Sequence, residues 1–138
     1  MGFDDTISAG IQKDAHSVGR SDSLRTAIKK MTDAKVSGLI VKSGHDVVGI
    51  ITVRDVLNSV AQNNDLDITK VSSFMTSCEL ISDKSVKTPC VQLDEGQSVK
   101  DALAIMNEAG VSNLMVTGDN DKAIGIISAL TLLEMAIS

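Results

Sequence analysis

Apolar residues recur at three- and four-residue steps in two places along the chain, at Leu24, Ala27, Ile28, Met31 and Ala34 and again at Val99, Ala102, Leu103, Met106 and Ala109. Each set lays one apolar stripe along a helix. Ser21 or Asp22 is placed to cap the first helix, and Asp94 followed by Gln97 reads as a capping box before the second. After each helix comes a short apolar run, residues 39–41 and 114–116, leading into SGHD and GDND, clusters that favour turns. A hairpin follows in both places. Its return strands, residues 47–51 and 123–127, are continuous enough in apolar character to be buried on both faces. Gly49 and Gly125 mark points where backbone or ligand can approach closely. A last helix closes each pattern, at residues 53–61 and 129–137.

The two patterns are copies. Shifting the chain by 75 positions brings Ser23, Ala27, Met31, Ala34, Val36, Ser37, Leu39 and Val41 onto identical residues at Ser98, Ala102, Met106, Ala109, Val111, Ser112, Leu114 and Val116. One inserted residue later the register resumes, with GIIT at 49–52 lying on GIIS at 125–128. Repeats of this kind are single supersecondary units that stack to make a core. The pattern therefore predicts an α/β fold of two repeats, each ordered strand, helix, strand, strand, helix. A unit of about 50 residues buries too little surface to stand alone, so the two are expected to pack sheet to sheet about a pseudo-twofold axis. The division this suggests is residues 1–61 for the first repeat, a polar linker at 62–73, and 74–138 for the second, with an insertion loop or extra strand at 77–89.

Composition removes several classes of function. Hydrophobic residues make up 43% of the 138 and charged residues 22%, which suits a globular domain and leaves no room for a separate catalytic one. No apolar run approaches the roughly 20 residues of a membrane-spanning helix. The N-terminal MGFDDTISAG lacks the basic and apolar regions of an export signal, so a cytoplasmic location is expected. Cys78 and Cys90 form no CxxC pair and stand far in sequence from His16 and His45, so neither a disulfide framework nor a metal site is predicted. A net charge of −5 with only Phe3 and Phe74 as aromatics argues against nucleic acid. No GxxxxGK[ST], HExxH or GxSxG motif is present, and no catalytic residue is predicted.

The sequence VSGLIV, a turn and GIITVRDVL, preceded by an amphipathic helix and repeated in tandem, resembles the CBS domain signature, and the pair resembles a Bateman module. The resemblance runs from about Ala15 to Leu57 and from about Cys90 to Leu133. It implies a regulatory module that is not an enzyme and carries no covalent cofactor. Its implied ligand is an adenine nucleotide (AMP, ADP or ATP) or S-adenosylmethionine, held in a cleft between repeats. The residue matching Thr52 would contact phosphate, and the one matching Asp55 would accept from the ribose hydroxyls. Helix N-termini favour anions, and a carboxylate can take both hydroxyls of a ribose, so the residue types suit those roles. Thr52 with Asp55 also fits a capping box that needs no ligand. By the same resemblance Ile50 lies on the cleft floor, Ser37 and Gly38 line the phosphate side, Arg54 reaches a phosphate, and the backbone of Ala15 and His16 reads the adenine edge.

The second copy departs from the signature where it matters most. GIISALTLL puts Thr131 in the place of Asp55, so the cleft beside Ser128, Ile126, Ser112 and Asn113 is expected to be the weaker one. The proline usual before the second strand is absent from both copies, Leu39 and Leu114 standing there. A homodimer is implied, with apolar residues at 56–60 and 132–137 suited to a helical interface, together with a target protein that receives the signal. The alternative is a scaffold of the same fold that binds no nucleotide.

Overall fold

A computed structural model describes residues 2–11, 16–77, 92–118 and 123–138. The first copy consists of β1 (Ser17–Gly19), α1 (Leu24–Ala34), β2 (Gly38–Ser43), β3 (Asp46–Thr52) and α2 (Val53–Ala61), followed by a 3-10 turn at Val71–Ser73 and β4 (Thr76–Ser77). The second has β5 (Gln92–Asp94), α3 (Val99–Ala109), β6 (Asn113–Thr117), β7 (Ala123–Ser128) and α4 (Ala129–Ile137). The predicted order of elements is therefore present in both. The sheets run β1-β2-β3-β4 and β5-β6-β7. In each, the first strand is parallel to the second and the second antiparallel to the third. Even the irregularities repeat: the register shifts between Val41 and Lys42 and again between Val116 and Thr117. No helix among the described residues is long and apolar enough to cross a membrane.

Alternation along the strands builds the cores. Val18, Ala27, Met31, Leu39, Val41, Ile51 and Val71 form one cluster, and Leu93, Val99, Ala102, Met106, Leu114, Val116, Ile127, Leu132 and Met135 form the other together with Ile7. The alternate residues Ile40, Ile50, Met115 and Ile126 are buried as well, so neither face of either sheet is left to solvent there. Gly49 is where a backbone comes close: a methyl group on it would lie 2.6 Å from the carbonyl oxygen of Thr76 in β4.

The helix starts differ from the sequence expectation. Ser23, not Ser21 or Asp22, caps α1, its hydroxyl accepting from the Thr26 N–H, while the Asp22 carboxylate accepts from Gly19 N–H at 2.8 Å. Likewise Ser98 caps α3; Asp94 and Gln97 instead shape the turn before it, Asp94 N–H donating to Gln97 Oε1 and Gly96 N–H to Asp94 Oδ1. With several cap-forming residues in a row, composition could not say which one stands at the helix mouth.

Contacts divide the chain into a first unit, Ala15–Cys90, and a second, Met1–Asp14 with Val91–Ser138. This is not the division drawn from the repeats. Within the region read as a linker, the carbonyls of Leu66 and Thr69 accept from the Arg25 and Leu24 N–H groups, both at 2.9 Å, and Val71 is fully buried. That segment is part of the first unit. The segment before β1, read as part of the first repeat, belongs to the second unit: the carbonyls of Phe3 and Asp5 accept from Lys100 and Val99 N–H, again at 2.9 Å. In both units a strap thus satisfies the first two orphan N–H groups of a helix. Of the predicted insertion at 77–89, Ser77 ends β4, and residues 78–89 lie outside the described residues.

The C-termini of α1 and α3 generate a prediction. Gly110 ends α3 in the left-handed region, and its counterpart Lys35 ends α1 in the same conformation with φ of 55°. A side chain there is strained, and glycine removes the clash. Lys35→Gly is expected to stabilise the protein by about 1 kcal/mol, read as a raised denaturation midpoint; an unchanged or lowered midpoint would contradict the assignment of strain.

Candidate functional site

The last residue of β3 is the first cap of α2. Thr52 keeps an extended backbone (φ −121°, ψ 167°), which lets its side chain face the helix it precedes. A complete capping box forms: Thr52 N–H donates to Asp55 Oδ2 at 2.9 Å, and Asp55 N–H donates to Thr52 Oγ1 at 3.4 Å. Thr52 Oγ1 also lies 3.2 Å from Asp55 Oδ2. The Val53 N–H is taken by the Ser37 carbonyl at 3.0 Å, and Gly38 is registered opposite Thr52 in the neighbouring strand. Ser37, Gly38, Thr52 and Asp55 are therefore gathered at one corner.

Ile50 lies two residues back on the same strand face and is 6% exposed. It is registered against Ile40 on one side and Thr76 on the other. The carbonyl of His16 accepts from Ile40 N–H at 3.2 Å, which places the His16 backbone in the row that includes Ile50, while its side chain is exposed. Ala15 falls outside the described residues. Arg54 is exposed and makes no ion pair among the described residues.

The second copy repeats the corner with altered chemistry. Ser128 caps α4, accepting from Thr131 N–H at 3.2 Å, and Ala129 N–H donates to the Ser112 carbonyl at 2.8 Å. Asn113, registered opposite Ser128, is buried and replaces the glycine of the first copy; Ile126 is buried beneath. Thr131 contributes only a hydroxyl, 3.1 Å from Ser128 Oγ. The charge that Asp55 supplies to the first corner is missing.

The two corners differ in what they offer a ligand. Asp55 spends Oδ2 on its own cap, and among the described residues Oδ1 accepts no hydrogen bond. A carboxylate has about four acceptor positions, so it can keep the cap and still accept from outside. Of the first-turn N–H groups of α2, those of Val53 and Asp55 are already engaged. Anion binding by the helix mouth is reduced accordingly. No group of three metal-ligating side chains occurs among the described residues. Sequence reading did not identify Lys30 and Asp33, which with His16, Ser17 and Ala34 line a shallow depression; Lys30 Nζ donates to the Ser17 carbonyl at 2.9 Å. They sit on the polar face of α1, where helical spacing marks only solvent.

Comparison with known proteins bears on the fold. The CBS domain model matches residues 7–62 and 81–137. A CBS domain-containing protein of Arabidopsis thaliana is 29% identical over 122 residues, 88% of this chain but only 20% of its own length, so the chain spans about a fifth of that relative. A solved protein with CBS domains from Burkholderia ambifaria is 28% identical and superposes with a TM-score of 0.77 over 91% of this chain and 84% of its own. A CBS domain pair solved in complex with 5′-methylthioadenosine and S-adenosyl-L-methionine superposes with a TM-score of 0.74, covering 94% of each chain at 20% identity. With duplicated sheets, duplicated helix mouths and a family match over both copies, the chain belongs to the CBS domain family and carries two of its domains in tandem.

Proposed function

We propose that this CBS pair is a regulatory module that binds an adenosine-type ligand at the corner formed by Thr52, Asp55, Ser37, Gly38 and Ile50, with no chemical step of its own. The observation that carries the reading is the Asp55 carboxylate, fixed in place by its cap while Oδ1 accepts no hydrogen bond among the described residues. Fixed acceptors of this kind suit a pair of ribose hydroxyls, because no side-chain freedom is lost on binding. A CBS pair of the same fold was solved with two adenosyl compounds, which supports the ligand class.

Within that class the corner favours the nucleoside end over a polyphosphate. Two first-turn N–H groups are used internally, Arg54 is the cation at hand, and the chain carries a net charge of −5. AMP or S-adenosylmethionine therefore fits better than ADP or ATP. His16 and Ala15 are proposed to present backbone to the adenine, and the Ser128 corner, with Ile126, Ser112 and Asn113, to bind weakly because Thr131 brings no charge. A ligand that prefers one arrangement of the chain shifts its population toward that arrangement, which is what a regulatory signal to a target protein requires.

The competing reading, a scaffold without nucleotide, draws on the same capping box, since Asp55 already has a structural task. Isothermal titration with AMP, ATP and S-adenosylmethionine separates them. Saturable binding is expected, weaker for ATP, and Asp55→Asn is expected to reduce affinity about tenfold to a hundredfold while keeping the fold, the scale of a lost charge-assisted hydrogen bond. Flat titrations with all three ligands would favour the scaffold.

We also propose a homodimer formed through helix faces. Val53, Leu57 and Val60 on α2 are 49%, 59% and 44% exposed, and Leu130, Leu133 and Ile137 on α4 are 76%, 52% and 87% exposed. The faces share Leu57, Val60, Leu133 and Ile137 with the spans expected at 56–60 and 132–137, and extend to Val53 and Leu130, while Leu132 and Met135 are consumed by the core and Val56 packs against it. Both spacings make a continuous helical stripe, the form of an unpartnered interface. In sedimentation, Leu57→Glu with Leu133→Glu is expected to convert a dimer to the 14.5 kDa monomer; a wild type that is already monomeric would refute the dimer.

A further inference from the structure

The two straps that fasten onto the helix mouths are equivalent in place and differ in what holds them. In the first unit the strap is residues 66–75. It sends Val71, Phe74 and Met75 into or against the core. Asp67 pairs with Arg25, Nε to Oδ1 at 2.7 Å, and the guanidinium holds that carboxyl below the usual carboxylate range. The Val71 and Ser72 N–H groups donate to the carbonyls of Asp22 and Arg20, each at 2.9 Å.

In the second unit the strap is residues 3–11. Ile7 is fully buried and Ile11 packs partly against the core. Its backbone is tied by Ile7 N–H to the Gln97 carbonyl and by the carbonyls of Asp5 and Phe3 to the N–H groups of Val99 and Lys100, all at 2.9 Å. Lys100, the counterpart of Arg25, makes no ion pair among the described residues. Phe3, Asp4, Thr6, Ser8 and Ala9 are exposed. A short segment with one fully buried side chain, and most of its other side chains exposed, has the character of a segment at the low-stability end of a structure.

The strap also lies close against side chains of β7 and α4. A methyl group at Gly10 would stand 2.6 Å from Met135 Sδ and 3.1 Å from Ile127 Cδ1 and Thr131 Cγ2. Seating therefore links α4 and β7 to the same short segment that supplies the carbonyls for the first turn of α3. Seven residues after Gly10 the chain enters β1 of the first unit, so the strap of one unit is covalently continuous with a strand of the other.

We propose that residues 3–11 are a releasable latch on the second unit: seated, they plug its core with Ile7 and complete the first turn of α3; released, they loosen α3 and α4 while leaving the first unit intact. Its parts are all within the second unit, and none of them belongs to the corner of Thr52 and Asp55.

Amide hydrogen exchange on the full chain tests this by comparing matched positions. Val99 and Lys100 are bonded to the latch as Leu24 and Arg25 are bonded to the first strap. Protection at Val99 and Lys100 is expected to be at least about tenfold lower than at Leu24 and Arg25. Ile7→Ala is expected to lower protection further throughout α3 and α4, with α1 and α2 unchanged within about twofold. Should Ile7→Ala fail to fold, Ile7→Val is expected to give the same selective pattern to a smaller degree. Equal protection at the matched amides, or a loss spread over both units in either variant, would overturn the latch.

Discussion

The hydrogen bonds between Thr52 and Asp55 join a strand to a helix and a scaffold to a site. A strand can run directly into a helix only if something satisfies the N–H groups that the helix leaves open at its start. Here the Thr52 hydroxyl takes one, the Ser37 carbonyl takes another, and the Asp55 carboxylate returns a bond to the Thr52 backbone. Because Ser37 precedes β2, the same bonds fix the edge of the neighbouring strand against the helix mouth. Removing a cap of this type costs about 1 kcal/mol. Its greater consequence is positional, since it holds a charged oxygen in a single direction beside two packed strands.

Duplication lets the molecule serve as its own control. The core positions of the two copies agree closely, down to the bulge in the second strand, while the corners have drifted apart. Asp55 corresponds to Thr131, Gly38 to Asn113 and Lys35 to Gly110. Packing constrains the first set, because any change of volume in a close-packed interior is felt. The corners are not held that way. Ser128 still caps its helix without a carboxylate, so the fold tolerates Thr131, and what the second copy lacks is the charge rather than the architecture.

Much of this was legible from sequence. The helices expected to close the two copies match α2 and α4 to the residue, and the family resemblance singled out Ser37, Gly38, Thr52 and Asp55, which the structure brings together. What escaped was carried by backbone. The straps reach α1 and α3 through the carbonyls of Leu66, Thr69, Phe3 and Asp5, and a carbonyl has no signature in the sequence. A single apolar residue marks each docked turn, Ile7 or Val71, too little for a periodicity. The close approach at Gly49 was foreseen, but only coordinates show that a strand carbonyl, Thr76, occupies it. Lys30 and Asp33 were invisible for another reason: a polar helix face announces solvent whether or not it borders a depression.

The account depends on one corner of the first copy offering what its counterpart in the second does not. Backbone amide chemical shifts followed during addition of AMP or S-adenosylmethionine observe both corners at once. The account predicts saturable shifts centred on Ser37, Gly38, Thr52 and Asp55, with much smaller changes around Asn113, Ser128 and Thr131. Shifts centred on the Ser128 corner, or none at either, would contradict it.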